Sequence, residues 1–475
     1  MSRSLPVTDR LDDDKPREEC GVFAVSGADS AAELAFMGLY SLQHRGQESA
    51  GIVAVDDEGE ARSRRGMGHV SDVFGDEDVR RLKGSTAVGH VRYSTSGESR
   101  LRNAQPVLVD YRRGPLALAH NGNLTNQNVL RDRLTEEGAI FQTDSDSEVV
   151  IHLVARSRRE SERAQVDDAL SQIAGAFSLV LSVGDTLYAA RDPRGFRPLI
   201  LGRLDGAAIL ASETCALDII GADYVRDVEP GEVLRIEDGE VEAMRPLPPE
   251  TPAPCLFELV YFARPDSRIW GCSVDRARRK FGRQLAREHP VEADCVFSVP
   301  DSANSAALGY AEESGLPFEL GLIRNHYVGR TFIQPTQAGR DFKVRMKYNP
   351  VEEIIDGRRV VVVDDSLVRG TTSRGLVDLL REGGAEEVHL RIGSPPIRHP
   401  CYYGIDMPTR EELLGANHTV DEIEELLGVD SLAYLSLDGM RSSVAEFGPF
   451  CDACWTGDYQ APLIDREKGY EMDTC

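Results

Sequence analysis

The sequence predicts two domains of different architecture, an α+β layered domain followed by an α/β domain with a parallel sheet. A chain of 475 residues is longer than a single domain with one hydrophobic core usually is. Residues 245–255 include five prolines, which disfavour a helix or an inner strand and favour an extended spacer. We therefore expect domains at residues 20–245 and 256–475, a linker at 246–255, and a separate leading segment at 1–19.

Before the spacer, short β-like runs alternate with turn residues and with helical patterns. The predicted strands are residues 21–25, 51–55, 87–90, 116–120, 178–183 and 208–211. Helical periodicity covers residues 31–43 and 146–155. Strands and helices grouped in this way are typical of a layered α+β domain.

After the spacer, compact apolar runs at residues 295–299, 360–363 and 388–392 are separated by segments with helical periodicity. Strands that are buried on both faces have this composition. Their alternation with helices predicts a parallel sheet.

The charge balance limits the possible partners. The chain has 54 basic and 79 acidic side chains, a net charge of −25, which opposes binding to nucleic acid phosphates. No apolar run approaches the roughly 20 residues that cross a bilayer, and residues 1–19 lack the apolar centre of a secretion signal, so we expect a cytoplasmic protein without membrane contact. Only six basic residues are lysines. An acidic, lysine-poor surface favours a halophilic host, and the alternative is an acidic protein from a GC-rich genome.

The strongest local pattern is an apolar run that ends in Asp364 and Asp365, followed by a loop with hydroxyl groups and Gly370. A helix is predicted from near Ser373 to the glycines at 383–384. The loop amides and the positive end of this helix form a phosphate cradle, and paired carboxylates accept hydrogen bonds from sugar hydroxyls or hold Mg²⁺. Helix capping, the alternative, needs only one short polar residue.

This pattern resembles the motif of the type I phosphoribosyltransferases, which bind phosphoribosyl pyrophosphate. The resemblance implies that Asp364 and Asp365 face the ribose hydroxyls and Mg²⁺, with Ser302 of a pyrophosphate loop near the metal. It also implies a flexible lid from residues 327–333 through 345–347, although a solvated basic loop is the alternative for Arg345 and Lys347. The implied phosphoribosyl pyrophosphate contacts are Asp364, Asp365, Ser366, Arg369, Gly370, Thr371, Thr372, Arg345 and Lys347.

Cys20 lies at the start of a predicted strand, where a cysteine is usually a small apolar core residue. Removal of residues 1–19 would instead place Cys20 at a free amino terminus. An α-amino group has a pKa of about 7.7 to 8.0 and is therefore suited to act as the base for its own thiol. Such a residue is an N-terminal nucleophile and needs no histidine.

Four segments after Cys20, at residues 44–51, 89–95, 119–124 and 143–148, resemble the N-terminal-nucleophile glutaminase domain. The resemblance implies that Arg92 binds the glutamine carboxylate and Asp146 its ammonium group. The Asn121 side chain and the Gly122 backbone amide would form the oxyanion hole. Taken singly, these residues have structural alternatives: a surface cation, a helix cap and a hairpin turn.

Together the two halves resemble the amidophosphoribosyltransferases. The family implies transfer of ammonia from glutamine to phosphoribosyl pyrophosphate, the opening step of purine synthesis, in a homotetramer inhibited by purine nucleotides. Tyr261 and the lid would enclose a dry passage for ammonia between the sites. Two rivals stay open: an amidotransferase with another acceptor, and a phosphoribosyl-pyrophosphate-binding regulator without catalysis.

The cysteines form a separate group. Cys451 and Cys454 make a Cys-x-x-Cys pair, which by itself is compatible with zinc, redox exchange or no function. One branch of the family resembled carries a [4Fe–4S] cluster on four cysteines in these contexts, with zinc as the main alternative. This resemblance implies Cys255, Cys401, Cys451 and Cys454 as ligands. Core packing or no role is expected for Cys215, Cys272, Cys295 and Cys475.

Overall fold

The computed structural model describes residues 20–93, 99–326, 344–470 and 472. The predicted leading segment (1–19), most of the predicted lid (327–343) and Cys475 lie outside the described residues. The described strands of the first half are β1 (Gly21–Ser26), β2 (Ser49–Val55), β3 (Ala61–Met67), β4 (Thr86–Arg92), β5 (Val107–Tyr111), β6 (Gly114–Leu124), β7 (Gly175–Val183), β8 (Thr186–Arg191), β9 (Ile200–Leu204), β10 (Ala207–Ala211), β11 (Asp223–Asp227), β12 (Val233–Glu237) and β13 (Glu240–Met244).

These strands form two antiparallel sheets. The first has the order β11-β9-β10-β1-β4-β2-β3 and the second the order β13-β12-β8-β7-β6-β5. Apolar side chains of both sheets, including Val22, Val88, Val180 and Leu234, make one buried cluster between them. The two sheets therefore pack face to face.

Helices cover the outer face of each sheet. Leu39 packs with Phe23 and Ile52 of the first sheet, and Val150 packs with Leu118 of the second. The result is a four-layered arrangement of helix, sheet, sheet and helix, which confirms the predicted α+β layered domain. The helices of this half are α1 (Ala31–Ser41), α2 (Val70–Val73), α3 (Asp76–Arg81), α4 (Gln127–Glu136), α5 (Ser147–Arg156), α6 (Glu162–Leu170) and α7 (Cys215–Asp218).

The second half contains the predicted parallel sheet, with the order β16-β19-β20-β21. Two antiparallel pairs, β14 with β15 and β17 with β18, accompany it. The α/β class is thereby confirmed. The strands are β14 (Arg268–Ile269), β15 (Cys272–Ser273), β16 (Cys295–Ser298), β17 (Leu322–Arg324), β18 (Tyr348–Pro350), β19 (Arg359–Asp364), β20 (Glu387–Ile392) and β21 (Ser431–Tyr434).

Helices flank this sheet, and a short turn of π-helix, Glu258–Phe262, precedes the first of them. None of the helices in the described ranges combines the length and the apolar character that crossing a membrane requires. The α-helices numbered in this half are α8 (Val274–Glu288), α9 (Asn304–Ser314), α10 (Glu352–Ile355), α11 (Thr371–Glu382), α12 (Leu414–Asn417), α13 (Val420–Leu427), α14 (Leu437–Ser443), α15 (Ala453–Thr456) and α16 (Ile464–Glu467).

The proline-rich stretch has neither helix nor strand between Met244 and Cys255. It runs along the first half, where the Cys255 amide donates to the Phe196 carbonyl at 3.0 Å. The C-terminal segment also returns to the first half, because the Asp465 carboxylate accepts hydrogen bonds from the Asn128 and Val129 amides. Both ends of the second half therefore contact the first half. The domain boundaries predicted from the sequence stay a prediction.

Candidate active site

Cys20 is buried immediately before β1, next to the end of β4. Its Sγ donates to the Tyr93 carbonyl at 3.5 Å, and its own carbonyl accepts from Arg45 Nε at 3.1 Å. Burial raises the pKa of the Cys20 thiol to about 11, and the Arg92 guanidinium opposes this rise. The thiol is therefore protonated near neutral pH, and nucleophilic attack requires a base.

The predicted glutamine contacts Arg92 and Asp146 are both buried in the same domain as Cys20. Asp146 Oδ2 accepts from the Leu124 amide at 3.0 Å and lies 3.4 Å from His120 Nδ1. Burial alone raises the pKa of Asp146, but His120 and these hydrogen bonds hold it below its ordinary value. Asp146 is consequently a carboxylate that is able to bind an ammonium group.

The predicted oxyanion hole lies on β6. The Nδ2 and Oδ1 atoms of Asn121 are buried, and neither has a hydrogen-bond partner among the described residues. Gly122 has a φ of +140°, and a Cβ there would lie 2.2 Å from the Ala176 carbonyl oxygen, so this position requires glycine. A buried amide group without a hydrogen-bond partner costs free energy. The unpaired side chain of Asn121 is therefore suited to bind a substrate oxygen.

The acidic pair ends β19, at the carboxyl edge of the parallel sheet. Asp364 and Asp365 are buried; the Asp365 amide donates to Asp364 Oδ1 at 2.9 Å, and Ser366 Oγ donates to Asp365 Oδ1 at 3.2 Å. Ser302 follows the adjacent strand β16 and is half-buried. The predicted sugar and pyrophosphate loops therefore emerge from neighbouring strands at one edge of the sheet, where α/β proteins bind ligands.

The phosphate loop leads directly into α11. Gly370 has a φ of +77°, and a Cβ there would lie 2.8 Å from Leu414 Cδ2. Thr371 and Thr372 are half-buried in the first turn of the helix. Arg369 pairs with Glu412 at 3.4 Å, while its buried Nε has no hydrogen-bond partner among the described residues. The predicted phosphate loop thus lies at the N-terminal, positive end of a helix.

Arg345 and Lys347 are placed differently. Arg345 pairs with Glu382 at the last turn of α11, about 16 Å along the helix from the phosphate loop. Lys347 Nζ lies 5.4 Å from the centre of the Tyr348 ring. The Arg345 guanidinium thus lies at the far end of the helix from the loop, and the contact of Arg345 and Lys347 with pyrophosphate stays a prediction. The predicted lid residues 327–333 lie outside the described residues.

Cys255, Cys401, Cys451 and Cys454 are all buried, and none is in a disulfide. Cys255 and Cys451 form a parallel β-bridge, and the Tyr403 amide lies 3.3 Å from Cys401 Sγ. Burial raises the pKa of Cys255 to about 11, with the Cys401 sulfur adding to this effect. Across the described ranges, no three His, Cys, Asp or Glu side chains are grouped closely enough to hold one metal ion.

A buried ionic cluster, which sequence reasoning missed, joins the two halves beside Cys20. Arg45 donates to Glu213 at 2.6 Å and to both oxygens of Glu258, at 2.6 and 3.0 Å. Arg197 lies 3.6 Å from Glu258 and donates to the Tyr403 carbonyl. A sign of this cluster was present in the sequence: Glu258 is a lone acid within an otherwise apolar run.

Comparison with known proteins extends these observations. The glutamine amidotransferase domain family matches residues 90–218. Amidophosphoribosyltransferase 1 of Arabidopsis thaliana, a chloroplastic protein, is 52% identical over 450 residues, which cover 94% of this chain and 80% of the relative. The amidophosphoribosyltransferase of Archaeoglobus fulgidus is 51% identical over 457 residues, covering 94% and 99%. The solved B. subtilis glutamine phosphoribosylpyrophosphate amidotransferase, complexed with ADP and GMP, is 46% identical with a TM-score of 0.90, covering 96% of this chain and 100% of that one.

The fold and the two sites define a class of protein in which a glutamine amidotransferase domain is joined to a phosphoribosyltransferase domain. Identity near 50% over almost the whole chain makes the assignment specific. The chain belongs to the amidophosphoribosyltransferase family.

Proposed function

We propose that this enzyme converts glutamine, water and phosphoribosyl pyrophosphate to glutamate, 5-phosphoribosylamine and pyrophosphate, the first step of purine biosynthesis. The observation that carries this proposal is the contact of one side chain with both halves. Arg45 binds the carbonyl of Cys20 and the carboxylate of Glu258, so the ammonia-forming residue is tied to the domain that carries Asp364 and Asp365.

In the glutaminase half, loss of residues 1–19 frees the α-amino group of Cys20, which accepts the thiol proton. The sulfur attacks the side-chain amide of glutamine, and the carbon–nitrogen bond breaks as the leaving amine takes up that proton. Asn121 Nδ2 and the Gly122 amide donate to the developing oxyanion, while Arg92 and Asp146 hold the substrate's own carboxylate and ammonium. Water then hydrolyses the thioester and releases glutamate.

In the transferase half, ammonia attacks C1 of the ribose and pyrophosphate leaves. Asp364 and Asp365 bind the ribose hydroxyls, and Ser366, Arg369 and the first turn of α11 hold the 5-phosphate. Ser302, Asp364 and Asp365 would hold Mg²⁺, which when bound would offset the charge of the leaving pyrophosphate. The oxygen-only donor set suits this ion. Tyr261 and the lid would keep bulk water from protonating ammonia during its passage.

We also propose a [4Fe–4S] cluster on Cys255, Cys401, Cys451 and Cys454. One zinc ion bound at about 2.3 Å needs its sulfurs within about 3.8 Å of one another, whereas a four-iron cluster takes each cysteine on a different iron. Burial raises the pKa of Cys255, Cys451 and Cys454, and neighbouring cysteine sulfurs add to each rise, so the four cysteines lie near one another. The choice of the cluster over zinc rests on the resemblance to the iron–sulfur branch of the family. Iron and sulfide analysis of anaerobically purified protein tests this assignment, and bound zinc would contradict it.

The remaining proposals concern the whole enzyme. Purine nucleotides are proposed inhibitors, because the B. subtilis relative was solved with ADP and GMP. We propose a cytoplasmic homotetramer with domains at residues 20–245 and 256–475. The proposed halophilic character rests on the net charge of −25 and the scarcity of lysine.

The decisive assay supplies glutamine and phosphoribosyl pyrophosphate together and measures glutamate and pyrophosphate. Equal amounts of both products are expected. Glutamate formed without pyrophosphate, in protein that is folded and fully active as a glutaminase, would point to a different acceptor.

A further inference from the structure

The turn of π-helix Glu258–Phe262 lies between the two sites. Its wide turn is closed by a hydrogen bond from the Ala263 amide to the Glu258 carbonyl, at 3.1 Å. Isolated π-helical turns are uncommon and are frequent at functional sites. The contacts at the two ends of this turn indicate a role for it here.

Arg278, a fully buried residue of α8, holds the turn from the phosphoribosyl side. Its Nε donates to the Leu259 carbonyl at 2.9 Å and its Nη2 to the Ala263 carbonyl at 2.7 Å. Its Nη1 lies 3.5 Å from the carbonyl of Ser302. A single rigid guanidinium therefore joins the π-helical turn to the proposed pyrophosphate loop.

The charge of Arg278 is balanced by more distant carboxylates rather than by a direct ion pair. No carboxylate among the described residues lies within ion-pair distance of it, and its hydrogen-bond partners are carbonyl oxygens. Burial lowers the pKa of Arg278, and the nearby carboxylates of Asp365, Glu213 and Glu258 oppose this effect. A buried cation is costly without an opposite charge, and an anionic substrate on the neighbouring loop brings one.

At the other end of the turn, the side chain of Glu258 is bound through two hydrogen bonds by Arg45, which in turn holds the carbonyl of Cys20. A continuous series of contacts thus leads from Ser302 to Cys20. Arg278 contacts Ser302 and the π-helical turn, and Arg45 contacts Glu258 of that turn and Cys20. Ser302 is half-buried, whereas Arg278, Glu258 and Arg45 are fully buried, where electrostatic contacts are screened least.

We propose that Arg278 is a positioning residue for the reaction: it couples the filling of the phosphoribosyl pyrophosphate site to the placement of Cys20 through the turn Glu258–Phe262. The proposal rests on the function proposed above and deepens it. Arg278 contacts no reacting atom in this scheme. Its charge responds to the pyrophosphate on the Ser302 loop, and its two carbonyl contacts pass the response to Glu258 and Arg45.

The test measures glutamate release with and without phosphoribosyl pyrophosphate, together with pyrophosphate release from free ammonia, in the full-length wild type, Arg278→Met and Arg278→Lys. In the wild type, phosphoribosyl pyrophosphate is expected to raise the rate of glutamate release by about 5- to 150-fold, the range that coupled sites show. This ratio of the two rates is the quantity compared among the variants. Arg278→Met should bring this ratio to about one while ammonia-dependent activity changes by less than about fivefold. Arg278→Lys keeps the positive charge but loses the planar guanidinium that donates to two carbonyls. Phosphoribosyl pyrophosphate should therefore still stimulate glutamate release in this variant, but less than in the wild type.

Arg279→Met is the matched control, because Arg279 is the next residue of α8 and is partly exposed, with Asp275 and Glu312 as partners. Its ratio should equal that of the wild type. The proposal would be overturned if Arg278→Met lowered all rates in proportion, so that the ratio of glutamate rates with and without phosphoribosyl pyrophosphate stayed constant, or if it changed no rate. If Arg278→Met fails to fold, Arg278→Lys and Glu258→Gln replace it. A wild-type ratio in both of these variants would then overturn the proposal. Absence of pyrophosphate release by the wild type with either nitrogen source would instead refute the proposed function.

Discussion

The buried amide of Asn121 is costly to the folded protein unless a substrate oxygen uses it. We predict that Asn121→Ala lowers kcat for glutamate release by about 10²- to 10³-fold, because one oxyanion donor is lost. Ammonia-dependent pyrophosphate release should persist, since the phosphoribosyl site lies in the other domain. Steady-state kinetics with glutamine and with ammonium chloride provide the measurement. Unchanged kcat with glutamine would contradict the assignment.

The Cys20 thiol provides a pH prediction. Burial raises its pKa to about 11, so the thiol itself is neutral throughout the range from pH 6 to 9. The proposed base is the α-amino group, which accepts a proton only when it is neutral, above a pKa of about 7.7 to 8.0. We expect kcat/KM for glutamine to fall about tenfold per pH unit below this pKa and to level off above it. A rate that keeps rising tenfold per unit to pH 10 would indicate direct dependence on the thiolate instead.

At the scale of elements, the loop between β19 and α11 depends on the backbone of Gly370. Its φ of +77° and the nearby Leu414 Cδ2 both oppose a side chain. We predict that Gly370→Ala, with a conformational cost of about 1 to 2 kcal/mol before any clash, raises KM for phosphoribosyl pyrophosphate at least about tenfold. Gly357→Ala is the control, because Gly357 has a φ of +65° and open space around it. The control should lose stability to urea without a change in KM, and equal KM effects in both variants would argue against the cradle.

Elements with strong periodicity or composition could be predicted from the sequence. The apolar run at residues 360–363 lies within β19, and the helix predicted after it corresponds to α11. The short strand β21 and the pair β14–β15 were not predicted, because two to four residues carry no clear period and depend on neighbouring strands. Roles for Cys20, Asn121 and Asp364 were predicted from local motifs, and these roles stay predictions.

Long-range ionic contacts could not be predicted in the same way. Arg45 and Glu258 are 213 residues apart, and Arg278 binds backbone carbonyls that any residue type supplies. No spacing rule specifies either kind of partner, since the first results from how the two domains pack and the second from how α8 packs against the turn Glu258–Phe262. Arg345 illustrates the converse: a basic residue beside a phosphate motif in sequence lies at the far end of α11 in the structure.

At the scale of the whole molecule, the domains share a buried, charged interface rather than a flexible joint. Glu258, Arg45 and Arg197 are fully buried where the two domains meet. Removing one partner of such a group leaves a buried charge, which typically costs about 3 to 5 kcal/mol. We predict that Glu258→Ala lowers the free energy of unfolding by about this amount in urea denaturation and separates the transitions of the two domains. A single transition at the wild-type midpoint would show that the interface contributes little.

The net charge of −25 should make the stability of the whole enzyme depend on salt. Repulsion among surface carboxylates opposes the compact state, and salt screens it: the screening length shortens from about 30 Å at 0.01 M to about 3 Å at 1 M. We therefore predict that the thermal midpoint rises by several degrees between about 0.01 M and 1 M KCl, with the largest gain at the dilute end, where repulsion reaches farthest. Differential scanning calorimetry at constant pH measures this, and sucrose at matched osmolality is the control, since it favours burial without screening charge. An equal rise in sucrose would assign the effect to solvent exclusion, and a midpoint independent of KCl would remove the physical basis for a halophilic host.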